Sequence, residues 1–176
     1  MQGSIEKYLK IKLFLTDVDG VLTDAGMYYT ETGDELKKFC TLDGGGLMLL
    51  KQVGIQTGFL TSEDTRIVQR RAQKLQVEFV IQGVKNKLKS FIQLIEKLGL
   101  TPQEAAYIGD DINDLKILEQ VGVSATVPGN CLPEGFTCDY VTRRVGGSGA
   151  VRDFAEWLLR QRGEYEKALS SYLISK

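Results

Sequence analysis

The chain has 176 residues, 43% hydrophobic and 26% charged, which fits one domain with a sizeable core. Its net charge of −1 offers no broad footprint for nucleic acid or an anionic membrane. Histidine is absent altogether, which excludes imidazole acid–base catalysis, phosphohistidine intermediates and His metal ligation and leaves the chemistry to carboxylates and lysines.

No apolar run reaches membrane-spanning length, and Met1 to Lys10 lacks the apolar segment of a signal peptide. The expected location is the cytoplasm. Cys40, Cys131 and Cys138 form no C-x-x-C pair, against a disulfide framework or a zinc knuckle.

Leu13, Phe14 and Leu15 form an apolar run without polar alternation, as in a strand covered on both faces. It ends at Asp17 and Asp19. On extended backbone those two side chains point the same way, and together they would repel unless a hard cation such as Mg²⁺ met them. A Ca²⁺ loop starting at Asp17 fails, because its fifth position is Val21 and its twelfth is Tyr28. Ala25 to Thr30 and Glu35 to Cys40 flank Glu31-Thr32-Gly33-Asp34 and predict a β-hairpin. Gly44-Gly45-Gly46 opens a helix over Leu47 to Val53. Ile55 to Leu60 is a strand running into Thr61-Ser62.

Thr65 to Leu75 has Val68, Ala72 and Leu75 on one helical face. Val77 to Ile81 is a strand. Asn86 to Leu98 is the clearest helix, with Leu88, Phe91, Ile92, Ile95 and Leu98 in period and Gly99 as its stop. A capped turn at Thr101 to Glu104 precedes a strand over Ala105 to Gly109. A helix over Ile112 to Val121, strands over Val123 to Val127 and Asp139 to Thr142, and a helix over Gly149 to Arg162 follow. Tyr165 to Ile174 either extends that helix or packs on a neighbour. Strands alternating with helices predict an α/β fold with a doubly wound, mainly parallel sheet.

In such a sheet the strand ends share one edge. That edge would gather Asp17 and Asp19, Thr61 and Ser62, the segment Gln82 to Lys87, and Gly109-Asp110-Asp111-Ile112-Asn113-Asp114. Acids for a metal, a hydroxyl and a lysine make a phosphoryl-transfer set, and a carboxylate can be the nucleophile.

Asp17-x-Asp19-Gly20-Val21-Leu22-Thr23, Thr61, Lys87 and Gly109-Asp110-Asp111-x-x-Asp114 together resemble the four motifs of the haloacid-dehalogenase-like phosphatases. The short hairpin about residues 25–40, where others insert a cap domain, narrows the resemblance, as does Gly146-Gly147-Ser148-Gly149-Ala150-Val151-Arg152. The chain is similar to the capless branch of 3-deoxy-D-manno-octulosonate (KDO) 8-phosphate phosphatases and their nonulosonate (KDN, N-acylneuraminate) 9-phosphate relatives. That resemblance implies a single Rossmann-like phosphatase domain over residues 1–176, a sugar-acid phosphate as substrate, Mg²⁺ as cofactor and a homotetramer assembled through the hairpin. It implies Asp17 as nucleophile and metal ligand. It makes Asp19 the acid and base, giving its backbone carbonyl to the metal. Thr61 and Lys87 would hold phosphate oxygens, Asp110 would bind the metal, and Asp111 and Asp114 would act through waters or hydrogen bonds to the ligands.

The octulosonate phosphatases follow the threonine of their second motif with Gly-Arg, whereas this chain has Thr61-Ser62-Glu63. Glu63 together with Lys74 resembles the nine-carbon branch, so Ser62, Glu63 and Lys74 are expected to contact the sugar. Spacing sets a condition. On a continuous helix Glu63 and Lys74 would stand roughly 16 Å apart, so sharing one sugar requires a break near Glu63, a long reach or a subunit boundary. Two other readings stand beside this one. Cys138 to Arg144 spells Cys-x5-Arg, but its β-favouring spacer does not suit a loop that wraps phosphate. Related domains also serve as non-catalytic oligomerisation modules beside sialic-acid-activating enzymes; the intact set of motif acids favours the enzyme. Gly146 to Gly149 is either an anion cradle or a plain helix-entry loop.

Overall fold

Leu13, Phe14, Leu15 and Thr16 are all fully buried. They form the strand beside which the chain reverses direction across its sheet. The computed structural model describes residues 2–174. In chain order it runs α1 (Gln2–Leu9), β1 (Leu13–Thr16), β2 (Tyr28–Tyr29), β3 (Glu35–Leu36), α2 (Thr41–Gln52), β4 (Gln56–Leu60), α3 (Arg66–Leu75), β5 (Phe79–Ile81) and α4 (Lys87–Leu98). A 3₁₀ turn over Pro102–Glu104 leads to β6 (Ala105–Ile108), α5 (Leu115–Leu118), β7 (Val123–Thr126), β8 (Tyr140–Val141), α6 (Ala150–Gln161) and α7 (Tyr165–Ile174).

Six strands form one sheet in the order β5-β4-β1-β6-β7-β8, with every neighbouring pair parallel. From β1 the chain builds outward through β4 and β5, then returns to build β6, β7 and β8 on the other side. Such a reversal opens a crevice at the carboxyl ends of the strands. Strand alternation divides the core in two. Phe14, Phe59 and Ile108 face a cluster with Leu47 and Leu50 of α2 and Phe154 and Leu158 of α6. Leu13, Leu15 and Tyr107 face Phe91 and Ile95 of α4. The doubly wound α/β reading therefore holds.

Two local expectations are corrected. The glycine run does not precede α2 but lies inside it. A Cβ on Gly46 would come within 2.8 Å of the Arg152 Cα, and one on Gly44 within 2.7 Å of the Leu75 side chain. Glycine costs a helix about 1 kcal/mol per position; here it allows α2 and α6 to pack backbone to backbone. The helix expected over Ile112 to Val121 contracts to α5, because the preceding backbone wraps the Asp114 carboxylate instead. Of the two paths left open for Tyr165 to Ile174, packing on a neighbour is the one taken: the chain turns at Gly163, whose φ is +68°, and α7 packs on α2 and α6.

Helix α1 was not anticipated. Arg162 ties its end to α6, donating to the carbonyls of Tyr8, Leu9 and Ile11. The hairpin forms as expected, with Tyr28 opposite Leu36 and Tyr29 opposite Glu35, and Thr23 pairing Phe39 at its base. Met27, Tyr28, Tyr29 and Leu36 are exposed on it. Among the described residues no helix is long and apolar enough to cross a membrane.

Candidate active site

The carboxyl ends of β1, β4 and β6 converge on a cavity of about 330 Å³ lined by Asp17, Asp19, Thr61, Ser62, Glu63, Lys87, Asp110 and Asp111. Eight of the ten residues singled out from the sequence thus meet at one place. Asp114 lies directly behind it, wholly buried. Lys74 does not reach it. It lines a separate depression with Arg71, Arg152 and Tyr172, because α3 runs unbroken from Arg66 to Leu75 and carries it away. Within one chain Glu63 and Lys74 therefore line different cavities.

Asp17 follows the last residue of β1, and its amide donates to Ile108 O at 3.0 Å. Its Oδ1 accepts from the Val18 amide at 2.7 Å, and its Oδ2 lies 2.9 Å from Lys87 Nζ. Lys87 opens α4, which Asn86 caps by accepting from the Lys89 amide. The same ammonium donates to Asp114 Oδ1 at 2.7 Å. Asp114 also accepts from the Tyr107 hydroxyl at 2.5 Å and from the amides of Asp110 and Asp111 at 3.1 and 3.3 Å. Its lone pairs are therefore filled, and it positions the lysine and the β6 loop.

Burial raises the pKa of Asp17 well above the usual carboxylate range. The neighbouring Asp114 charge adds to that effect, and Lys87 opposes it. Burial, with Asp114, also pushes Asp110 up to about 6. Burial alone would depress Lys87, but the charges of Asp17 and Asp114 outweigh it and its pKa rises.

Asp17 and Asp19 both line the cavity, but not as the side-by-side pair that extended backbone would make. Strand β1 stops at Thr16, and Asp19 sits in the turn that follows. Each acid has its own lysine. The Asp19 Oδ1 accepts from Lys37 Nζ at 2.6 Å and from Thr23 Oγ1 at 3.2 Å. Lys37 also donates to Glu63 Oε2 at 2.6 Å.

Sequence reasoning missed Lys37, which no local pattern distinguishes from Lys38 beside it. It missed Tyr107 too, although a tyrosine within an apolar strand signals a hydroxyl that must find a buried partner. Thr61 is buried, and its Oγ1 accepts from the Glu63 amide at 3.2 Å. The Asp111 carboxylate accepts from the Ile112 amide at 2.7 Å, within its own turn.

The residues fit a divalent cation. Oxygens of Asp17, Asp110 and Asp114 lie within 4.8 Å of one another. Asp114 is already saturated, so Asp17 and Asp110 are the carboxylates left to ligate. The Asp110 Oδ1 is buried without a hydrogen-bond partner. Gly20, at φ +90°, lets the loop backbone close onto the Asp110 carboxylate where a Cβ would collide. Five acids line the cavity against one lysine, so a phosphate ester would be repelled without a bound cation.

Cys138 and the loop from Gly146 to Gly149 do not line that cavity. Burial pushes the Cys138 thiol up to about 11, the wrong direction for a thiolate nucleophile. A Cβ on Gly146 or Gly147 would strike the backbone between Gly20 and Asp24, and the Gly147 amide donates to Val21 O at 3.1 Å. This loop props up the turn that carries Asp19.

The haloacid dehalogenase-like hydrolase family matches residues 46–122, a span that takes in Thr61, Lys87 and Asp110 to Asp114. The 3-deoxy-D-manno-octulosonate 8-phosphate phosphatase of Escherichia coli K12 is 38% identical over 167 residues, covering 93% of this chain and 87% of that protein. The chain belongs to the KDO 8-phosphate phosphatase family of haloacid-dehalogenase-like hydrolases. Solved family members share its fold. The Moraxella catarrhalis phosphatase, in complex with magnesium ion, phosphate ion and KDO, superposes with a TM-score of 0.91 at 38% identity over 98% of this chain and 99% of its own. The cobalt-bound Haemophilus influenzae phosphatase gives 0.86 at 32% identity over 95% of this chain and 99% of its own.

Proposed function

We propose that this protein is a Mg²⁺-dependent phosphomonoesterase that removes the terminal phosphate of an eight- or nine-carbon 2-keto-3-deoxy sugar acid through an aspartyl-phosphate. The observation that carries the reading is the buried Asp17–Lys87–Asp114 array with Asp110 beside it at the carboxyl ends of β1 and β6. An oxygen of Asp17 bonds to phosphorus as the ester P–O bond breaks, and Asp19 gives its proton to the departing sugar alkoxide. Asp19 then takes a proton from water, whose oxygen attacks phosphorus and releases phosphate and free Asp17.

Lys87 and Thr61 hold phosphoryl oxygens, and Lys87 offsets the charge on Asp17. Asp17 and Asp110, with the Asp19 carbonyl, would hold Mg²⁺, which when bound neutralises charge on the transferring phosphoryl group. Ser62 and Glu63 contact the sugar, and Asp111 acts through water. The hairpin replaces a cap domain, and its exposed Met27, Tyr28, Tyr29 and Leu36 seat neighbouring copies in a homotetramer.

Asp17→Asn keeps the shape and removes the nucleophile. It should abolish turnover of KDO 8-phosphate while the far-UV spectrum and Tm stay close to wild type, and excess EDTA should silence the wild-type enzyme. Near-normal turnover in either case would overturn the assignment.

A further inference from the structure

The hairpin sends one side chain into the site. Lys37 follows β3, and its side chain is 1% exposed although Leu36 and Lys38 on either side face solvent. Burying an ammonium is costly unless it is paired. Here it bridges two carboxylates from two different loops, Asp19 after β1 and Glu63 after β4.

The Asp19 carboxylate is bound asymmetrically. Lys37 and Thr23 both donate to Oδ1. Oδ2 is buried and meets no partner among the described residues. Two donors on one oxygen restrict rotation of the carboxylate, and Oδ2 is left as the unpaired oxygen of a residue that lines the cavity. Glu63 restrains the ammonium from its other side, so the lysine cannot follow Asp19 if that side chain shifts.

We propose that Lys37 is a positioning residue for the phosphatase reaction: it clamps Asp19 Oδ1 so that Oδ2 meets the leaving oxygen of the ester, and Glu63 holds Lys37 in place. This rests on Asp19 as the proton donor. In the first half-reaction the bond from Asp17 to phosphorus forms, the ester P–O bond breaks, and the Asp19 proton passes to the released oxygen. Lys37 contributes no atom. Its effect therefore scales with how much the leaving group needs that proton. A sugar alkoxide needs it; p-nitrophenolate leaves without it.

The test compares kcat/KM, which reports the first half-reaction, for KDO 8-phosphate and p-nitrophenyl phosphate. Lys37→Met should lower the sugar ester's kcat/KM on the order of 100-fold, the scale of a lost general-acid contribution. Its KM should move less than about threefold and the aryl ester's kcat/KM less than about fivefold, because binding and phosphoryl transfer themselves are untouched. Lys37→Arg keeps the cation and should recover most of the sugar-ester rate. Equal losses on both esters, or no loss on either, would overturn the proposal.

Should Lys37→Met fail to fold, Lys37→Gln carries the test. Its neutral amide fills much of the same space with a weaker donor and should give a smaller loss with the same selectivity, and an unselective loss or none overturns the proposal equally. Asp17→Asn separates the two levels. If it retains turnover the catalytic assignment fails and this inference falls with it; if it is inactive while Lys37→Met is unselective, only the role of Lys37 fails.

Discussion

Replacing Lys87 by methionine removes the single cation shared by two buried acids. The ammonium lies 2.9 Å from Asp17 and 2.7 Å from Asp114, with side-chain exposures of 2%, 7% and 0% for the lysine and the two acids. Breaking a buried pair by deleting one partner costs about 3–5 kcal/mol, because the remaining charge is stranded. Two acids are stranded here, so about 5 kcal/mol is expected near neutral pH. At roughly 2–4 °C per kcal/mol for a chain of this size, Tm should fall by about 10–20 °C.

The loss should depend on pH. Burial already raises the pKa of Asp17 above its unfolded value, and Lys87 opposes that rise. Without the lysine, Asp17 is tolerated below the unfolded carboxylate range and destabilises as pH rises through its raised folded value. The deficit should therefore shrink as the variant is acidified toward pH 4 and grow toward pH 8. Urea unfolding in EDTA at several pH values measures this, and Lys87→Met/Asp114→Asn should recover part of the loss. A deficit below about 1 kcal/mol, or one independent of pH, would refute the view that Lys87 compensates both acids.

Asp43 sits inside α2, where burial raises its pKa to about 6 despite a hydrogen bond from the Arg152 amide. Its ionisation therefore costs the folded state stability as pH rises from about 4 through that value, and Asp43→Asn should be more stable than wild type by about 3 kcal/mol at pH 8, converging on it near pH 4, in thermal melts across that range. The exposed hairpin side chains imply association: light scattering should give a four-subunit mass, and Tyr29→Lys/Leu36→Lys should give a smaller one. A wild-type monomer with full activity would remove the argument for a hairpin-built oligomer. On the reading proposed above Glu63 contacts the sugar, so the nine-carbon 9-phosphate should be turned over at least as well as the eight-carbon 8-phosphate. Glu63→Arg should shift kcat/KM toward the shorter ester; a strong wild-type preference for the eight-carbon ester, unchanged in the variant, would reject that role.

The sequence by itself determined the sheet and the acids at its edge. Short apolar runs such as Leu13 to Leu15, set between helical segments, suit strands with both faces covered, and their polar terminations at Asp17, Thr61 and Asp110 fall on one edge because the strands run parallel. Asn86 to Leu98 and its glycine stop were legible for the same reason, since helical period and capping are local. What escaped depends on contacts between segments far apart in the chain. The glycines of α2 look like a helix start until α6 is seen packed against them. Lys74 follows Glu63 by eleven residues in any reading, yet only the path of α3 places it at a separate depression. Lys37 carries no local mark at all: its burial between Asp19 and Glu63 exists only once the hairpin folds back over the ends of β1 and β4. Two electrostatic partners 18 and 26 residues distant are set by tertiary approach, which no periodicity in the chain encodes.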